Sequence, residues 1–378
     1  MLSRRHLLLS LTALAAQRAA ADPMGAPIYP DVVPRPLAFP ADFGAHPGFR
    51  TEWWYLTGCL GDAARPLGFQ VTFFRVRTDV DERNPSAFAA RQLLIAHAAL
   101  ADPARGKLLV DERIARTGFS VVDAATADTD LRLDGWSLQR AAATDTYTTR
   151  IAARGFTLNV SAVSGTPPWL QGAGGVSRKG PLPTQASYYY SRPQLKVEAE
   201  VLMGRNGFSR DHIMIAAEAA PARMTGVAWL DHEWSSSALA PDAAGWDWVG
   251  MNLDDGSALL AFQIRRQGAA SNELPLQRYA AFCSPAGETR IVDPATVRFT
   301  PLRTWTSTRS RAAWPIAQRI EIGGRTFETV PLMPDQELDS RLTTGAVYWE
   351  GASTLLEGGR PVGRGYLEMT GYVTPLKL

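Results

Sequence analysis

The chain has 378 residues, 46% hydrophobic and 20% charged, enough apolar surface for a core and too much for a disordered chain. Lys plus Arg number 39 against 37 Asp plus Glu, and this formal charge of +2 excludes the broad basic footprint of a nucleic-acid binder. With 32 Gly, 26 Pro, 11 Trp, 10 Tyr and 14 Phe, the composition points to many short strands and turns in about two domains.

Residues 1–21 read as an address. Arg4 and Arg5 precede a short apolar run from Leu7 to Ala16, and Ala19 and Ala21 supply a small-x-small cleavage pattern. The run is too short to span a bilayer. Ser3 to Leu8 is similar to a twin-arginine signal, so Sec and twin-arginine export both stand open, with a periplasmic or secreted destination. Without Arg4, Arg5 and Arg18 the charge falls from +2 to −1.

Residues 22–40 carry six prolines and no apolar period, which predicts an extended lead-in or tether. Alternating segments follow. Phe69, Val71 and Phe73 share one strand face, and Leu93, Ile95, His97 and Ala99 share the next. Leu195 to Met203 is the cleanest one-face-buried strand. Turn signals recur at Asp134-Gly135, Asn206-Gly207, Asp254-Asp255-Gly256 and Gly323-Gly324. Short helices are expected near Asp79–Ala90 and Ser235–Ala244. The echo between Trp53-Trp54-Tyr55 and Trp246-Asp247-Trp248 predicts two tandem β units, 41–218 and 219–378.

Charge beside large aromatics marks the candidate chemistry. Glu52 shares a strand face with Trp54 and Leu56, so its carboxylate must be paired or protonated. It reads either as an acid–base group or ligand anchor, with His46, Trp53, Trp54 and Tyr55 as ligand-binding candidates, or as an ion-pair partner of Arg50, Arg75 or Arg192. Tyr188 and Tyr190 offer hydroxyls to a pocket, while Tyr189 reads as strand packing. Arg192 could pair with Glu52 or a ligand carboxylate. In Asp231-His232-Glu233-Trp234, the carboxylates face one way and the imidazole and indole the other. A histidine between two carboxylates suits proton transfer near neutral pH, so these four residues and Glu52 are the catalytic candidates. No metal is expected, since no His-x-x-x-His spacing or cysteine partner accompanies His232.

Trp246 and Trp248 share a face opposite Asp247; the indoles suit an apolar or sugar ligand or a core plug, and all three residues are ligand-binding candidates. Glu350 reads as an outward residue. His97, on an apolar face, is a core histidine or a ligand contact. Cys59 and Cys283 allow one bridge after export or two free thiols. No nucleophile elbow, Walker loop or dinucleotide-binding glycine pattern is present, and no cofactor is expected.

The ordered set His46-Pro47 to Tyr55, Gly68 to Arg75, Tyr188 to Arg192, Trp229 to Ser235, Gly245 to Trp248, Asp254 to Gly256, Asp335 to Leu338 and Tyr348 to Gly351 resembles the secreted AttH-like proteins related to carotenoid 1,2-hydratase. The resemblance implies an all-β chain of two tandem lipocalin-like (calycin-type) antiparallel barrels with a pocket for an apolar, lipid- or isoprenoid-like ligand. It also implies work beside an ABC-type export permease, with peripheral membrane contact. The alternative is an enzyme, either a hydratase adding water to an isoprenoid double bond or a secreted hydrolase. In the hydratase branch a His-x-Trp pairs with a downstream Tyr-x-Asp. This chain carries His232 and Trp234, but Leu259 to Gln263 lacks the second half.

Overall fold

The computed structural model describes residues 27–119, 121–204, 220–237, 239–268 and 273–376. The expected leader at 1–21 and the expected 218/219 boundary lie outside them. In chain order the first sheet holds β1 (Thr51–Leu60), β2 (Leu67–Arg77), β3 (Gln92–Asp102), β4 (Lys107–Arg116), β5 (Val122–Ala124), β6 (Asp130–Leu133), β7 (Trp136–Ala141), β8 (Thr146–Ala153), β9 (Phe156–Val163), β10 (Trp169–Leu170), β11 (Val176–Arg178), β12 (Ala186–Met203) and β13 (Ala222–Ser237). The second holds β14 (Ala243–Leu253), β15 (Ala258–Arg266), β16 (Gln277–Cys283), β17 (Thr289–Ile291), β18 (Arg298–Thr306), β19 (Ala313–Ile322), β20 (Arg325–Pro331), β21 (Glu337–Ser340), β22 (Ala346–Glu357) and β23 (Arg360–Thr370).

All these pairings are antiparallel. The first sheet runs β4-β3-β2-β1-β13-β12-β9-β8-β7-β6-β5, and β10 and β11 pair with β12. It curls until β3 and β4 pack on β5 and β6, a nearly closed, lipocalin-like barrel. The second runs β17-β16-β15-β14-β23-β22-β20-β19-β18, with β21 on β22. Because β13 sits between β1 and β12, the chain changes sheet only between Ser237 and Ala243.

The two-residue period decides the packing. Leu195, Val197, Ala199 and Val201 are buried, as their alternation predicts. In β1, Trp54 and Leu56 enter the first barrel's core, whereas Trp53 and Tyr55 join a layer between the two sheets. In β13, Leu230 and Trp234 enter the barrel and Trp229 joins the layer. Each fully buried aromatic contributes on the order of 1.5–3 kcal/mol. The sheets approach closely at Gly68, where a Cβ would stand 2.6 Å from that of Ala352, so only glycine fits.

Two local expectations fail. Neither Asp79–Ala90 nor Ser235–Ala244 is helical among the described residues. In the first, Asp81 and Asn84 accept backbone N–H bonds from Arg83 and Ser86, forming turns that compete with a helix. In the second, β13 continues to Ser237. The lead-in holds no helix or strand over 27–38, but it is not a free tether. Tyr29 donates to Asp79 at 3.0 Å, and the Tyr188 hydroxyl donates to the Val33 carbonyl at 2.5 Å, strapping the segment to the barrel.

Candidate active site

Two polar clusters flank β13, one on each face. The first fills the barrel. His232 Nε2 lies 2.8 Å from Glu52 Oε1, and Arg75 Nε donates to Glu52 Oε2 at 2.7 Å. His46 bridges Glu52 through Nδ1 at 2.7 Å and Asp42 through Nε2 at 2.9 Å. Arg35 closes the chain on Asp42 at 2.8 Å. Burial alone would raise the Glu52 carboxyl. The bonds from His232 and His46 and the charge of Arg75 outweigh it and hold Glu52 well below the usual carboxylate range. Burial also opposes a proton on His46, but Asp42 and Glu52 raise its pKa above 6.5. Burial pushes His232 down to about 4. His232 is therefore neutral at pH 7: it donates to Glu52 and accepts from the Tyr190 hydroxyl at 3.0 Å.

His46, Glu52 and His232 bring donor atoms within 4.8 Å of one another, as a metal site would. Their spacing suits imidazole N–H donation into one carboxylate oxygen, and Arg75 already neutralises that carboxylate. A dication would have to displace those protons beside a guanidinium. The trio reads as a charge network and not as a metal centre.

The second cluster lies between the sheets, around a cavity of about 290 Å³. Trp53, Tyr55, Phe74, Trp246, Trp248, Phe262 and Tyr348 wall it. Asp231, Glu233, Glu350, Glu368 and Lys179 reach it. Asp231 accepts from Tyr189 at 2.7 Å, Ser191 at 2.5 Å and Trp229 Nε1 at 2.7 Å. Burial nevertheless pushes its carboxyl up to about 7; those three bonds oppose the rise, and the Glu233 charge adds to it. Glu233 pairs with Lys179 at 2.9 Å.

Glu350 and Glu368 face each other across β22 and β23. Tyr55 donates to Glu350 Oε2 at 2.7 Å, and burial pushes Glu350 up to about 7. Burial, and then the Glu350 charge, push Glu368 well above its ordinary value, against a bond from Trp246. Carboxyl groups that keep protons at neutral pH inside an aromatic-walled cavity can donate and accept protons.

The expected site residues divide between these places. Asp231, Glu233, Trp53, Tyr55, Trp246 and Trp248 gather at the cavity. His232, Trp234, His46, Trp54, Tyr188, Tyr190 and Arg192 belong to the barrel side. Glu52 and Arg75 border the cavity, but their charges pair in the barrel network. Trp234 stacks on His46, with ring centroids 3.8 Å apart, on the face away from Asp231. Arg192 is spent on Asp145, Ser164 and the Thr166 carbonyl. Asp247 accepts from Gln263, Arg265 and Tyr372 on the opposite face from the indoles.

His97 bonds Thr343 at 2.9 Å beside the cavity, kept neutral by burial that lowers it to about 3. Cys59 and Cys283 are both free.

Four cavity groups escaped the sequence reading. Tyr189 is no mere packing residue, since its hydroxyl links Asp231 to Trp248 Nε1. Glu350 is buried and not outward, because β22 is covered on that face by the first sheet. Glu368, flanked by Leu367 and Met369 in a strand, carried one signal: an acid in an apolar run. Lys179 carried none.

The family model for AttH-like proteins matches residues 30–372. A crystal structure of an AttH from Nitrosomonas europaea superposes with a TM-score of 0.80 and 49% identity, covering 91% of this chain and 99% of that one. Kievitone hydratase from Nectria haematococca shares the fold at a TM-score of 0.62 and 14% identity, over 92% of this chain and 99% of its own. CghA does so at 0.55 and 14%, over 93% and 96%. No curated protein matches the chain. With the family model spanning its strands from the strap to β23, this chain belongs to the AttH-like family.

Proposed function

We propose that this protein is an acid–base enzyme that adds water across a carbon–carbon double bond of an apolar, isoprenoid-like substrate held between the two sheets. One observation carries this reading: Asp231 and Glu350, both buried at one aromatic-walled cavity, each titrate at about 7. At neutral pH one can hold a proton while the other lacks it. The fold shared with kievitone hydratase supports the reaction class.

In the reaction, the Glu350–Glu368 pair gives its proton to one alkene carbon. The π electrons form the new C–H bond and leave a cation on the other carbon. A water oxygen bonds to that carbon, and the Asp231 carboxylate takes the water's surplus proton. Exchange with solvent returns a proton to Glu350 and removes one from Asp231, so the net change is one H2O. The indoles of Trp246 and Trp248 face the cation with their π clouds. The leader read at 1–21 supports an exported enzyme.

The test incubates purified protein with apolar alkenes in isotopically labelled water and follows label in the product hydroxyl by mass spectrometry. Label transfer is expected, and Glu350→Gln and Asp231→Asn should each lower kcat by about 10²–10⁴-fold. Stoichiometric alkene binding with no label transfer would replace the enzyme by a lipid- or isoprenoid-binding protein.

A further inference from the structure

The charges around the cavity are lopsided. Beside the Glu52–Arg75 pair at its border, four further carboxyl groups among the described residues reach it, Asp231, Glu233, Glu350 and Glu368, against the single ammonium of Lys179, which Glu233 already holds at 2.9 Å. The neighbouring guanidiniums are spent elsewhere, Arg75 on Glu52 and Arg192 on Asp145. Among the described residues, an anionic head group entering this cavity would meet no unpaired cation and several carboxyls, after losing its own hydration.

Positive charge meets the opposite reception. Lys179 Nζ stands 4.6 Å from the Tyr189 ring centroid and 4.3 Å from that of Phe262, so the wall already stabilises one cation by ring faces and a carboxylate together. The same components recur where the described residues place no cation: Glu350, Glu368, Trp246 and Tyr55.

We infer that the cavity selects apolar molecules bearing positive charge, an ammonium group or a cationic reaction intermediate, over neutral ones, and rejects apolar anions such as fatty carboxylates and alkyl phosphates. This rests on the reading of the cavity as the substrate site. It gives that reading a physical form, since a site complementary to a cation formed during reaction binds stable cations more tightly than neutral substrate. It also overturns the expectation of an arginine-bound ligand carboxylate.

The experiment titrates the full chain at pH 7 with decylammonium, decanol and decanoate, which share one chain and differ in head-group charge, by calorimetry below their aggregation limits. Decylammonium should bind about tenfold more tightly than decanol, and decanoate about tenfold more weakly. In the double variant Asp231→Asn, Glu350→Gln, decanol binding should persist while the ammonium preference falls below about threefold. Equal affinities, or decanoate the tightest, would overturn the charge selection and leave the cavity reading standing. Binding of none of the three would overturn both.

Discussion

His232 and Asp231 are adjacent in one strand, yet they serve two sites with opposite electrostatics. On the barrel face, Glu52 has two imidazoles and a guanidinium as partners and is held ionised. On the cavity face, among the described residues, Asp231 has only hydroxyl and indole donors, and Glu350 only a tyrosine hydroxyl. Both faces bury carboxyls, but only the second leaves them near neutrality at pH 7. Burial alone therefore does not mark a catalytic carboxyl. What separates the two sites is whether cations compensate the burial.

The largest effect expected of this contrast is on stability. Glu52→Ala should lose about 3–5 kcal/mol in urea unfolding, because it strands Arg75 and His46 in the barrel. Asp231→Asn, which removes a poorly compensated charge, should lose less than about 1 kcal/mol at pH 8. Equal losses would erase the distinction between the two sites.

The next effect is on pH dependence. Asp231 and Glu350 bind protons more tightly folded than unfolded, so their contribution falls as pH climbs from about 4 to 7. The barrel network runs the other way at the acid end. Glu52 is depressed, so its stabilisation is present above its ordinary 4.5 and is lost as pH falls through its folded value. His232, also depressed, weakens the fold as pH falls from 6.5 towards 4. His46 is raised, so its contribution is full below 6.5 and is lost as pH rises through its folded value. Thermal unfolding of Asp231→Asn, Glu350→Gln should show a smaller decline between pH 4 and 7 than wild type, and Glu52→Gln a weaker acid limb.

Turnover sharpens the contrast further. With Glu350 as acid and Asp231 as base, kcat/KM should fall on both sides of about pH 7. Glu350→Gln should flatten the alkaline limb of its residual rate. A profile following a single group near 4 would instead point to His232.

The smallest expected effect concerns His97. Its bond to Thr343 links β3 to the β21–β22 turn, and Thr343 in turn donates to Glu112 at 2.7 Å. His97→Gln should cost about 1 kcal/mol and leave the pH profile of turnover unchanged.

The sequence by itself determined the strands and which residues share a face. Alternation is local and backbone-driven, so Leu195 to Val201 and the opposed faces of Asp231 and His232 were legible from spacing. It also located the polar clusters, because charged residues among large aromatics are rare enough to stand out. Only the tertiary structure decided which faces meet. Residues 295 apart, Tyr55 and Glu350, share a hydrogen bond because two sheets stack, and nothing in their local sequence encodes that contact. The same stacking separated Trp54 from Trp246 and turned Glu350 from an outward residue into a buried acid. It also turned Arg75 and Arg192 onto Glu52 and Asp145 and left Lys179 to Glu233, so that Asp231, Glu350 and Glu368 have no ion-pair partner among the described residues. A pKa depends on the partners a fold delivers, and those partners come from distant strands.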